Sequence, residues 1–187
     1  GDGYGLRFWG GSDNYKISMG ASSLYTYGPV ASYSIKTQMD SGSTDRGFTW
    51  GRIGVAPIAA INSTSGNMQI AGDLTVSGGD ITLGSTLLSN QENTDVDTGT
   101  ETVANVAIAS YTAAFFDFVI KKTTNVRSGT VYACHDGTNV VYTETSTNDL
   151  GDTSDVTLSV DISGGNMRLL ATTTSNDWSV KSLIRAI

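Results

Sequence analysis

Where a period is visible along this chain, it is two. Tyr33, Ile35, Thr37 and Met39 alternate with Ser34, Lys36 and Gln38, the spacing that puts one apolar face on a strand. Nowhere do apolar residues recur at i, i+3, i+4 and i+7 over three turns, so an all-β chain is predicted. The gaps between apolar clusters are filled by Gly, Ser, Thr, Asn and Asp, with 22 Gly against 2 Pro in 187 residues. Such gaps close tight turns, because Gly takes positive φ freely and Asx side chains bond their own backbone.

Three segments separate by pattern. Residues 1–50 are rich in Gly and aromatics, and strands are predicted near 6–9, 15–19, 33–39 and 48–50, too short to make a core alone. Residues 51–92 read differently. Apolar pairs at spacing two recur there: Met68 and Ile70, Leu74 and Val76, Ile81 and Leu83, separated by turn signals. Two apolar side chains per strand cannot close a core within one chain, but they can if identical chains wrap about a common axis. These six residues are therefore the expected core of an intertwined, triple-stranded β shaft in a homotrimer. The polar run 90–102 reads as a linker or exposed loop. From there strands lengthen, at about 103–110, 115–121, 129–135, 139–145, 156–162, 166–172 and 178–185. Asp136-Gly137 and Gly164-Gly165 mark two hairpins. Seven strands at such intervals predict an antiparallel β-sandwich head. The domain reading is a short-stranded β module at 1–50, the shaft at 51–92 and the head at 93–187.

The charge narrows the partners. With 18 acidic and 11 basic residues the net charge is −7, which repels nucleic acid, and no Lys/Arg cluster counters it. No apolar run is long enough to span a bilayer as a helix, so membrane insertion is not expected. Because the sequence opens on Gly rather than Met, Gly1 is expected to be internal to a longer protein. Cys134, the single cysteine, cannot form an internal disulfide and is expected to be a small buried hydrophobe; a reduced thiol suits cytoplasmic assembly.

Catalytic chemistry finds little to stand on. His135 and Cys134 are adjacent, so on a strand they face opposite ways and cannot act as a nucleophile–base pair. His135 is expected to be a hydrogen-bonded strand-end residue. Glu92, Asp95, Asp97 and Glu101 lie in the polar run. Asp149, Asp152 and Asp155 could gather oxygen ligands for calcium, but their spacing is not that of an EF-hand, and a turn-forming loop is the simpler reading. GDGYG and SGGD open no helix and lack a P-loop's Lys-Ser/Thr, so they are turns. The expectation is a chain with no enzyme activity, no cofactor and no metal. Phe8, Trp9, Tyr15, Tyr25, Tyr27, Tyr33, Phe48 and Trp50 crowd the first segment, where core or intersubunit packing is favoured over a glycan platform.

VYACHDGTNVVYTET, LSVDISGGNMRLLATTT and the ending WSVKSLIRAI resemble a β-rich module at the end of virion structural proteins of tailed bacteriophages, marine cyanophage-like ones in particular. GNMQIAGDLTVSGGDITLG resembles the shafts of phage tail and neck fibres, and GLRFWGGSDNYKISMG with DRGFTWG is similar to other fibre segments. The resemblance implies a homotrimeric, virion-borne fibre assembled in the host cytoplasm. Such a fibre would contact other virion proteins and present a distal head to a host-surface glycan or protein. No contact residues transfer with it. Sandwich loops cluster at the domain's ends, and the loops at 146–155 and 173–178 carry groups suited to sugar hydroxyls and faces. The candidate receptor contacts are Asn148, Asp149, Asp152, Asn176, Asp177 and Trp178. Two alternatives stay open: a purely architectural capsid or neck fibre (or bacterial trimeric surface protein), and a non-catalytic fragment of a polysaccharide-depolymerase tailspike.

Overall fold

A computed structural model describes residues 4–10, 13–40 and 42–187; most of the GDGYG turn reading lies outside them. The described residues form strands and turns with no helix, so the chain is all-β. It divides into two compact units, Gly1–Thr75 and Val76–Ile187.

The first unit holds two three-stranded antiparallel sheets. One orders β1 (Tyr4–Arg7), β2 (Lys16–Gly20) and β3 (Ser34–Gln38); the other orders β4 (Gly47–Trp50), β5 (Ala59–Asn62) and β6 (Met68–Ile70). These strands are three to five residues long. In the second sheet Phe48 pairs with Ile61 and Ile61 with Met68, while Trp50 pairs with Ala59 and Ala59 with Ile70. Paired residues share a face and strand residues two apart do too, so all six side chains lie on one wholly apolar face. Trp50, Met68 and Ile70 are exposed on it.

The second unit is built from longer strands. Its six-stranded sheet runs β12 (Val140–Ser146), β11 (Asn125–His135), β10 (Ala113–Lys122), β15 (Trp178–Ala186), β8 (Thr86–Val96) and β7 (Ile81–Leu83). A three-stranded sheet runs β13 (Val156–Ser163), β14 (Asn166–Thr173) and β9 (Gly99–Ala107). Every strand pair in both sheets is antiparallel. Alternate residues face inward: Ala114, Phe116, Phe118 and Ile120 of β10, Val180 and Ile184 of β15, Leu158 and Val160 of β13, Met167 and Leu169 of β14. All belong to a single buried cluster fed by both sheets. In β9 the register slips so that Leu169 pairs with Ala104 and Leu170 with Thr102. Val103 is thus the extra residue of a bulge, and Val103 and Ala104 both turn inward.

The hairpins at Asp136-Gly137 and Gly164-Gly165 form where the turn residues predicted them, with both glycines of the second at positive φ, 59° and 79°. Three readings need correction. Residues 90–102 are not a linker: they fill most of β8 and the start of β9. Their polar side chains pair across these strands, Gln91 Nε2 donating to the Asn105 carbonyl (2.9 Å) and Asn105 N–H to Gln91 Oε1 (2.9 Å). Asn93 likewise donates to Glu101 (2.7 Å). Cys134 is exposed rather than buried, because strand alternation turns Val131 and Ala133 inward and the thiol outward. Leu74 and Val76 lie in no strand, whereas Met68 and Ile70 pair with β5 and Ile81 and Leu83 with β8, within the chain.

Candidate functional site

The register brings four connections to one end of the second unit. They are the 97–98 turn between β8 and β9, the 123–124 turn between β10 and β11, the 147–155 loop, and the 174–177 loop before β15. The two loops read from sequence as contact candidates therefore meet. Asp155 joins them, accepting from the Thr174 hydroxyl (3.2 Å) and the Ser175 hydroxyl (2.7 Å).

Each candidate residue now has a place. Asn148 is exposed on the longer loop. Asp149 accepts from the N–H and hydroxyl of Thr153 (3.1 and 2.6 Å). Asp152 accepts the hydroxyl and N–H of Ser154 (2.6 and 3.0 Å), bonds that hold its carboxyl below the usual carboxylate range. Asn176 accepts at its side-chain oxygen from the N–H and hydroxyl of Thr98 (3.0 and 2.8 Å), and its carbonyl accepts from the Lys122 ammonium (2.6 Å). Asp177 stands at φ 64° and donates its N–H to Asp97 (3.2 Å). The accepting side-chain oxygens of Asp149, Asp152 and Asn176 already take two bonds each, so Asp149 and Asp152 keep their other carboxylate oxygen for a ligand.

Trp178 is a correction. Only 2% of it is exposed, so it offers no platform for a sugar ring. It pairs with Val96 at the start of β15 and turns into the core. Its indole N–H is satisfied by Ser175 Oγ (3.0 Å), and the Lys122 ammonium lies 5.6 Å from the ring centroid. An aromatic residue following a Ser-Asn-Asp turn read as a loop tip; it is the first inward residue of a strand.

The carboxylates that come together are not Asp149, Asp152 and Asp155, the trio weighed as calcium ligands against a turn-forming loop. Oxygens of Asp95, Asp97 and Asp177 lie within 4.8 Å of one another, all exposed. The register slip between Val96 and Asn93 opposite β15 places Asp95 beside them. No local pattern announces this meeting, since Asp95 and Asp97 lie in the polar run 90–102. Chemically, this end offers carboxylate and amide acceptors, with the Lys122 ammonium bonded to the Asn176 carbonyl. His135 stands at the other end, closing β11. There Gly137 N–H donates to its Nδ1 (2.9 Å), which leaves Nε2 to donate to the Tyr111 carbonyl (2.7 Å). Both ring nitrogens are thus tied to backbone, the strand-end role expected of it. Asp136 beside it accepts from both Asn139 nitrogens and the Thr138 N–H, which lower its carboxyl to about 2. No protein-family model matches the chain, and no curated protein does either.

Proposed function

We propose that the chain is a non-catalytic structural part of a homotrimeric, virion-borne fibre of the tailed-phage type. In this reading Val76–Ile187 is a β-sandwich head, and the apolar pairs of residues 68–83 belong to the seam between copies. One observation carries it: Met68, Ile70, Leu74, Val76, Ile81 and Leu83 are all exposed in a single chain, while the second unit closes a complete core of its own. Exposed apolar side chains recurring along one segment are what an interaction site offers, and short strands that cannot bury their faces alone are completed by identical neighbours. The 97–98, 147–155 and 174–177 connections are the surface the head would present to a host glycan or protein. The burial of Trp178 favours a second reading within the same class, a purely architectural fibre whose head spaces or caps rather than binds.

Light scattering on the purified chain is expected to give three times its 19.6 kDa mass, and gold-labelled antibody is expected to decorate a virion appendage. A monomer, or antibody that decorates no particle, overturns the proposal. Competition with phage for adsorption separates a binding head from an architectural one.

A further inference from the structure

The sheet β1-β2-β3 is inside out. Its register pairs Tyr4 with Met19 and Met19 with Ile35, and Leu6 with Ile17 and Ile17 with Thr37. These six side chains share one face, and it carries no charge. The other face holds Gly5, Arg7, Lys16, Ser18, Ser34, Lys36 and Gln38. In an ordinary one-sided sheet the apolar face is covered and the polar face is wet. Here the reverse holds. Lys16 and Ser18 are buried, while Tyr4 is 79%, Leu6 61%, Met19 49% and Ile35 76% exposed.

The polar face is covered from within the unit. The Tyr25 hydroxyl lies 3.0 Å from Ser18 Oγ, the Ser34 hydroxyl donates to the Tyr25 carbonyl (2.5 Å), and Lys36 lies 5.9 Å from the Tyr25 ring centroid. Asp13 pairs with Lys16 (3.2 Å) and Arg7 (2.6 Å), and its carbonyl accepts from Gln38 (2.5 Å). Tyr25 and Asp13 thus cover much of the face that would ordinarily meet water, while among the described residues the apolar face is left largely exposed.

We infer that the apolar face of β1-β2-β3 is a contact surface between copies of this chain, the same face of each of the three copies turning toward a common axis. The inference rests on the self-assembling reading above and adds where the first unit is joined. Three observations select the occupant. Four side chains exposed by about half to four-fifths present on the order of 400 Å² of apolar surface. That is about half of the ~800 Å² per partner that a stable interface buries, and Ile17, Thr37 and the strand rims add to it. With no charge on the face, identical copies meet without like charges opposing one another, which a symmetric contact otherwise risks. Finally, the cations of this sheet, Arg7, Lys16 and Lys36, all lie on the opposite face. An anionic membrane surface would require them around the apolar one.

The test is thiol accessibility in the full chain with Cys134→Ser as background. Ile35→Cys and Tyr4→Cys sit on the face, and Thr64→Cys, on an exposed turn, is the control. In the assembled species the two face variants are expected to react with a charged thiol reagent at least tenfold more slowly than the control. On dilution to the single chain, the three rates are expected to converge. Assembled protein whose face variants react as fast as the control overturns this contact and leaves self-assembly standing. Protection that persists in the single chain overturns it too, because the cover is then internal. A parent chain that never assembles overturns both readings.

Discussion

The indole N–H of Trp178 donates to the Ser175 hydroxyl oxygen, and that hydroxyl in turn donates to Asp155. A buried core residue is thereby wired through one loop to the next. Truncation with Trp178→Ala leaves a cavity in the core, and large aromatic truncations of this kind cost about 3–5 kcal/mol. Ser175→Ala leaves the buried indole N–H without a partner and is expected to cost about 1–3 kcal/mol. Urea titration of the second unit's unfolding, by amide exchange or near-ultraviolet dichroism, checks both. An unchanged midpoint for Trp178→Ala means the indole is not part of the core.

A second prediction concerns the turn between β10 and β11. Thr123 adopts φ 53° at its first position, a left-handed conformation that a β-branched residue resists by roughly 1–2 kcal/mol. Glycine takes it without steric penalty, at a smaller cost in chain entropy. Thr123→Gly is expected to stabilise the second unit by about 1 kcal/mol and raise its melting temperature by roughly 3–5 °C. A fall in melting temperature instead means that the hydroxyl's bond to the Lys122 carbonyl (2.7 Å) outweighs the backbone strain.

A third follows from acid titration of the Asp136 turn. The two Asn139 nitrogens and the Thr138 N–H favour the ionised carboxylate, so its folded value, about 2, lies below the ordinary 3.8. A carboxyl depressed in this way contributes stability that is present above about pH 4 and is lost as pH falls toward 2. The turn's amides are therefore expected to lose exchange protection across that window, and Asp136→Ala to remove the pH dependence. A carboxyl resonance titrating near 4 contradicts this account.

Much of the second unit was legible because its strands are long enough to alternate visibly. Val156, Leu158 and Val160 announce a one-sided strand, and Gly164-Gly165 announces the turn that follows. The polar run 90–102 was not legible, since β8 and β9 meet there through Gln91, Asn93, Asn105 and Glu101, whose polarity reads as solvent exposure. Trp178 failed for a related reason: a turn signal names where a strand begins but not which face its first residue takes. In the first unit periodicity found the strands, and it could not say that β1-β2-β3 would cover its polar side. That depends on Tyr25 and Asp13 arriving from loops. The carboxylates of Asp95, Asp97 and Asp177 meet through long-range register, which no local pattern carries.

The position of β15 bears on how the protein is made. This strand lies between β10 and β8 in the six-stranded sheet, yet it is the last of the unit's strands to leave the ribosome. Until it arrives, β8 and β10 are open edges whose hydrogen-bonding groups and inward residues have nothing between them. Such edges recruit wrong partners. Joining an early strand to a much later one also raises contact order, which slows folding. Closure of this unit therefore waits for β15, and the interval before it arrives carries an aggregation risk that chaperones would shorten. Loss of the final strand leaves an unfinished sheet, not a smaller domain.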